Sequence, residues 1–240
     1  MDLNRKYDFP EGEVLLIDKP TEWTSFDVVN KVRHALRFHL GIRKIKVGHA
    51  GTLDPLATGL LLVCVGKATK KINEYTGLDK EYTGTFYIGA TTPSYDSETE
   101  VDQEFETSHI SEDQIMDATH EFIGVIKQTP PAYSAIKVDG KRAYRLARGN
   151  EKVSMPEREV QIMEFEITRA GIPETDFRVS CAKGTYIRSL AYDFGKSLQS
   201  GAYIQSLRRT RIGDHGIEEA LTVQQLDDLL AEQAKKEISF

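Results

Sequence analysis

Six apolar residues in a row, Leu60-Leu61-Leu62-Val63-Cys64-Val65, constrain this chain more than any other feature. A run of that length bounded by turn formers reads as a buried strand. It falls far short of the ~20 residues that a membrane-spanning helix needs. The approach to it, Val47-Gly48-His49-Ala50-Gly51-Thr52-Leu53-Asp54-Pro55-Leu56-Ala57-Thr58-Gly59, is rich in turn formers and holds a single carboxylate. Asp followed by Pro is a common structural turn. An acid at the mouth of a buried strand is also partly desolvated, which keeps it reactive, and Asp54 is therefore the candidate nucleophile.

Around this centre the chain alternates strands and helices without a regular βαβ rhythm. Residues 13–17 read as a strand, and Thr24 or Ser25 caps a helix running through Phe26, Val29, Val32 and Leu36. A short helix follows from Lys67 to Tyr75. From Glu81 to Ile88 the residues Tyr82, Gly84, Phe86 and Ile88 share one face at the period of a strand. The stretch from Thr91 to Ser108 reads as a polar, mobile loop, and Ser111-Glu112-Asp113-Gln114 is a capping box for a helix reaching about Ile123. Pro130-Pro131 stops any helix. Residues 134–138 read as a short strand, Asp139-Gly140 as a turn, and Lys141 to Arg148 as a basic helix closed by Gly149-Asn150. Strands over 160–168 and 177–182 precede a helix carrying Ile187, Leu190, Ala191, Phe194 and Leu198, and a last amphipathic helix spans Leu221 to Ala234. The pattern predicts an α+β fold with one mixed sheet.

At 240 residues the chain can bury a full core in one domain. The N-terminus MDLNRKYDFPEGE lacks an apolar signal core, so a soluble, cytoplasmic protein with no membrane partner is expected. Cys64 and Cys181 have no CxxC spacing and read as buried, reduced thiols, and the six histidines show no close ligand pairing that points to a metal. A net charge of −6 argues against a nucleic-acid partner when read globally. The distribution reverses that argument. Ten Asp or Glu and no Lys or Arg lie between Asp96 and Glu121, and without those ten the −6 becomes +4. Lys31, Arg33, Arg37, Arg43, Lys44 and Lys46 form one basic group. Lys137, Lys141, Arg142, Arg145 and Arg148 form a second, interrupted only by Asp139, and Arg208, Arg209 and Arg211 form a third. Any one is ordinarily a solvated face, but three flanking Asp54 favour a phosphate-tracking surface, with the acidic segment facing away from RNA.

The segment GHAGTLDPLATG closely resembles the active-site motif of the TruB family of tRNA pseudouridine synthases. Lys19-Pro20 with Thr24-Ser25 resembles the family's N-terminal KPxGxTS signature, with Glu22-Trp23 departing from it where relatives usually carry glycine. Lys80-Glu81-Tyr82 is similar to its tyrosine motif and PPAYSAIKVDGKRAYRLAR, from Pro130 to Arg148, to its RNA-gripping insertion. Gly184-Thr185-Tyr186-Ile187-Arg188 and Leu207-Arg208-Arg209 complete the set, in family order over most of residues 12–211.

The resemblance implies the pseudouridine synthase fold: a mixed, largely antiparallel sheet flanked by helices with a central active-site cleft. It implies one catalytic domain over residues 1–240, with the RNA-gripping insertion at about 128–157. Fewer than thirty residues follow Arg211, too few for the C-terminal PUA domain of many relatives. The implied activity is cofactor-free isomerisation of uridine 55 in the T-stem-loop of tRNA, by a monomer needing no protein partner.

That reaction breaks the N1–C1′ bond, turns the uracil and joins C5 to C1′. A carboxylate serves either by attack at the sugar or base or by stabilising a cationic sugar before proton removal at C2′. The resemblance makes Asp54, Tyr82 and Arg188 catalytic. Arg188 is the implied partner of Asp54, because a cation near a helix N-terminus needs an anion to offset the helix dipole. Tyr82 stacks on the flipped base, Tyr186 and Leu207 bind the uracil, and Lys19 supports the active-site loop or contacts RNA. His49, five residues before Asp54, stacks in the gap that the extruded nucleotide leaves. Strand tyrosines and leucines are ordinarily core, and a loop histidine ordinarily makes a local hydrogen bond. Two other readings of these residues are an RNA-binding and folding module and a carboxylate-dependent nucleosidase or glycosidase.

Overall fold

In a computed structural model describing residues 5–134, 136–138, 140–149 and 154–238, the chain opens with β1 (Glu13–Lys19), α1 (Ser25–Leu40), β2 (Val47–Ala50), β3 (Thr58–Val65) and α2 (Ile72–Gly77). It continues through β4 (Lys80–Ile88), β5 (Ala90–Thr91), β6 (Gln103–Glu104), α3 (Glu112–Ala118) and β7 (Gly124–Gln128). The hairpin β8 (Lys137–Val138) and β9 (Lys141–Arg142) leads to α4 (Ala143–Arg148), then β10 (Arg158–Arg169), β11 (Glu174–Cys181) and α5 (Ile187–Ser197). Last come β12 (Ala202–Ile212), β13 (His215–Gly216), β14 (Leu221–Thr222) and α6 (Val223–Ile238). Asp139 and Asn150, assigned above to a turn and a helix end, lie outside the described residues.

The chain divides into two compact units, residues 1–80 with 208–240 and residues 81–207. In the first, β1 lies between β14, which is parallel to it, and β3, which is antiparallel. The far edge of β3 is shared: residues 62–65 pair with β2, and Thr58 and Gly59 pair in parallel with Arg208 and Arg209 of β12. This sheet is buried on both faces, which explains the unbroken apolar run. Leu61, Val63 and Val65 face Val28, Val29, Val32 and Leu36 of α1 and Leu226 and Leu230 of α6. Leu60 and Leu62 turn to the other side, with Ala50, Ile72, Tyr75 and Leu78. Burying one such leucine is worth about 1.5–3 kcal/mol.

Helix α1 starts at a full capping box: Thr24 accepts from the Asp27 N–H, and the Asp27 carboxylate accepts from the Thr24 N–H. It ends at Gly41, whose φ of 66° lies in the left-handed region. Phe26, expected on the apolar face, is 56% exposed, because the core-facing stripe runs through Val28, Val29, Val32, Ala35 and Leu36.

In the second unit β10 pairs antiparallel with both β11 and β7. Its core is aromatic: Phe86 stacks on Phe177 at 4.0 Å, and Phe194 of α5 approaches both Phe86 and Phe165. The tyrosine, phenylalanine and isoleucine of the predicted β4 face are buried, and a side chain at Gly84 would strike the Ser206 carbonyl. The stretch from Thr91 to Ser108 is not the mobile polar loop expected from composition. β5 and β6 pair within it, Asp102 accepts from the Thr91 hydroxyl, and Thr92, Ser94 and Asp96 are buried. Among the described residues no helix is long and apolar enough to cross a membrane.

Candidate active site

Asp54 sits half-buried on the loop between β2 and β3, and five flanking groups fix that loop through its backbone. Ser25, the first residue of α1, is buried; its hydroxyl accepts from the Leu53 N–H at 2.8 Å and donates to the Leu53 carbonyl at 3.2 Å. The Ala57 N–H donates to the Asp54 carbonyl at 3.1 Å, closing a turn around the acid. Pro55 offers its carbonyl to the Glu22 N–H at 2.8 Å and to the Lys19 ammonium at 3.2 Å. Arg209 donates from Nη2 to the Gly51 carbonyl at 3.1 Å and from Nε to the Leu60 carbonyl at 2.7 Å, spanning both ends of the loop. Gly59 allows this: a Cβ there would lie 2.3 Å from the Arg209 carbonyl oxygen.

Lys19 is fully buried at the end of β1, and its ammonium donates to the carbonyls of Pro20, Trp23 and Pro55. With three protons for three carbonyls, none remains for a phosphate, so its position fits loop support and not contact with RNA. Burial pulls its pKa down to about 8, with the Asp54 charge opposing that shift and the Arg209 charge adding to it. Asp54, Lys19 and Arg209 thus share one electrostatic neighbourhood. Glu22, at the signature position where glycine is usual, adopts a φ of 66°, so the chain keeps a left-handed turn there with a side chain attached.

His49 lies in β2 opposite Val63, in a strand where the sequence reading has a loop. Burial foremost, and then the charge of Arg209, lower its pKa, which keeps the imidazole neutral. A neutral, flat, half-buried ring on the strand leading to Asp54 suits stacking on a nucleobase.

The second unit holds Tyr82, Tyr186, Arg188 and Leu207. Arg188 is 4% exposed in the first turn of α5, where the helix dipole disfavours a cation. It donates to the carbonyls of Ser94 at 3.1 Å and Tyr133 at 3.0 Å, and Nη1 lies 3.6 Å from Asp96 Oδ2. Asp96 is a buried anion beside the cation, and it is fixed in turn by the Ser94 hydroxyl at 2.5 Å and the Glu98 N–H at 3.0 Å. Part of the acidic segment therefore points into the protein, contrary to the expectation of a wholly solvated loop.

Gln128 brackets the Tyr186 backbone, donating to its carbonyl at 3.0 Å and accepting from its N–H at 2.8 Å. The Ser189 hydroxyl donates to the Thr129 carbonyl. Together with Tyr133 these contacts bolt residues 128–133 to the start of α5. The Arg158 guanidinium lies 4.6 Å over the Tyr186 ring and donates to the Gly184 carbonyl. Tyr82 is 9% exposed where β4 begins, and Leu207 is half-buried on β12.

Two of the three arginines in the third basic group are engaged within the protein, and Arg211 is exposed. Arg209 is 1% exposed, and Arg208 forks onto the Asp18 carboxylate at 2.7 and 3.1 Å. Sequence reasoning placed Ser25 and Arg209 in motifs without these roles, and it missed the roles of Asp96 and Gln128 altogether. A buried arginine inside Leu-Arg-Arg and a serine at a helix start carry no signal of the loop they hold, because their partners lie far along the chain.

Residues 37–187 match the family described as "TruB family pseudouridylate synthase (N terminal domain)". Residues 188–239 match the "tRNA pseudouridylate synthase B C-terminal domain". The chain is 57% identical over 224 residues to a tRNA pseudouridine synthase B of Flavobacterium johnsoniae, covering 93% of this chain and 98% of that protein. It is 51% identical to the protein of the same name from Phocaeicola vulgatus, covering 96% and 98%. Among solved structures it is similar to the Cbf5-Nop10-Gar1 complex, with a TM-score of 0.69 at 28% identity over 94% of this chain. A second is an H/ACA RNP bound to a substrate RNA containing 2′-deoxyuridine, with a TM-score of 0.67 at 26% identity over 97% of this chain. The chain spans 60% and 56% of those two longer chains.

Proposed function

Because this chain belongs to the TruB family of pseudouridylate synthases, we propose that it isomerises uridine to pseudouridine at position 55, in the T loop of tRNA, with Asp54 as the catalytic carboxylate. The observation that carries this reading is the immobilised Asp54 loop, tied at Gly51, Leu53 and Pro55 while the acid itself stays half-exposed. A reacting group held to within a fraction of an ångström meets the sugar without reorganising.

The reaction is internal to one nucleotide. The N1–C1′ bond breaks, the uracil leaves carrying the bonding pair, and C5 joins C1′; the C5 proton is lost and N1 is protonated. Asp54 serves by attack or by stabilising the cationic sugar. We assign Tyr82 the stacking contact with the flipped base and Tyr186 and Leu207 the uracil edge. Arg188 supplies positive charge to the reacting groups, and His49 fills the space that the extruded nucleotide leaves. Lys19 acts as a support for the loop. The protein works as a monomer in the cytoplasm.

The test is incubation of the protein with unmodified tRNA, followed by mass spectrometry of the digested product. Pseudouridine confined to position 55 is expected. Pseudouridine elsewhere overturns the position, and release of free uracil overturns isomerisation in favour of glycosidic hydrolysis.

A further inference from the structure

Many cations of the first unit already hold a carboxylate. Lys31 pairs with Asp227 at 3.1 Å, Lys67 with Glu11 at 2.7 Å, Arg5 with Glu13 at 2.8 Å and Arg208 with Asp18 at 2.7 Å. Arg37, Arg43, Lys44 and Lys46 differ. All four are exposed, and among the described residues none of them pairs with a carboxylate. No Asp or Glu occurs between Val28 and Leu53, and the one acid of α1, Asp27, is spent on the Thr24 cap. In a chain of net charge −6, an unneutralised cluster repels itself, and a polyanion relieves that repulsion.

The cluster is also tied to the strand that leads to the site. Phe26, Asn30, Arg33 and Arg37 share one face of α1 at helical spacing. Arg33 lies over the Phe26 ring at 5.6 Å and donates to the Asn30 side chain at 3.2 Å and to the Val47 carbonyl, the first of β2, at 2.8 Å. The helix face is thereby fixed to the strand carrying His49. Arg43, Lys44 and Lys46 occupy the connection from α1 to β2, and Lys46 is held by its carbonyl to the Gly66 N–H. Lys46 precedes His49 by three residues of nearly extended chain, about 10 Å, a distance of about three base steps.

We propose that Arg37, Arg43, Lys44 and Lys46 bind the RNA phosphate backbone beside the target uridine. The unit that carries Asp54 then grips the substrate by itself, independently of the insertion at 128–157. This rests on the tRNA reading above, which selects RNA over an acidic protein because the cations lead directly to His49.

The test replaces all four with glutamine (R37Q, R43Q, K44Q, K46Q) in the full chain. The sites are exposed, and a circular dichroism melt checks that the fold is retained. Steady-state kinetics on a tRNA transcript between 50 and 200 mM KCl should show KM raised at least tenfold at 100 mM, with kcat within twofold of the parent. The slope of log KM against log salt should be shallower by about 3, since each lost phosphate contact removes about 0.7–0.9. An unchanged KM and slope, or a loss confined to kcat, overturns the proposal. If the parent protein makes no pseudouridine, the functional reading fails instead, and filter-binding Kd values for the same transcript still decide the surface.

Discussion

Glu22 holds a backbone conformation with φ of 66° that costs a non-glycine residue about 1–2 kcal/mol, while its N–H supports the Pro55 carbonyl. Glu22→Gly relieves that strain but loosens the unfolded chain by about 0.4–1 kcal/mol. A net gain of about 0.5 kcal/mol is therefore expected in urea unfolding, and a loss of stability would show that the turn is unstrained. Lys19 makes a pH prediction. Its pKa is brought to about 8, chiefly by burial, so the group is an ammonium below that pH and loses a proton above it. Its clamp on Pro55 then weakens. kcat should fall on the alkaline side with a midpoint near pH 8, and Lys19→Met should lower the plateau and abolish that limb. Asp96→Ala removes a buried carboxylate 3.6 Å from Arg188 and its bonds to Ser94 and Glu98, and losing such buried hydrogen bonds should cost about 1–3 kcal/mol. Unfolding titrations measure that loss.

At the level of elements, the Asp54 loop depends on neighbours more than on its own turn formers. Ser25→Ala deletes both hydrogen bonds to Leu53 and strands a buried N–H and carbonyl, which should cost about 1–3 kcal/mol and lower kcat more than it raises KM. β3, β4, the Ser111–Gln114 capping box and α5 were legible in the sequence because each is written in local periodicity or in a cap within four residues. The loop's fastenings were not. Ser25 reaches Leu53 across 28 positions and Arg209 reaches Leu60 across 149, and no periodic pattern records such a pairing. The same limit hid Asp96, whose acidic context reads as solvent until Arg188, Ser94 and Glu98 close around it. Phe26 fell on the wrong side of α1 because it lies about 60° beyond the stripe that the core covers.

For the whole molecule, the α+β class followed from the irregular alternation of elements, and the family from motifs spread over most of residues 12–211. Composition was less faithful. It presents three equivalent basic groups, but Arg209 is buried and Arg208 is paired with Asp18, while among the described residues Arg37, Arg43, Lys44 and Lys46 hold no carboxylate. The two units also bring together residues from distant stretches: the first joins the N-terminal third to the C-terminal strand and helix, and Arg209 reaches the Asp54 loop only through that joining. The account rests on one carboxylate. Its most direct test is Asp54→Asn, which changes one heavy atom and leaves the backbone ties of the loop at Gly51, Leu53 and Pro55 in place. Tritium release from tRNA labelled at uridine C5 should fall to background while the Kd for that tRNA stays within a few-fold of the parent value. Release at the parental rate would contradict it.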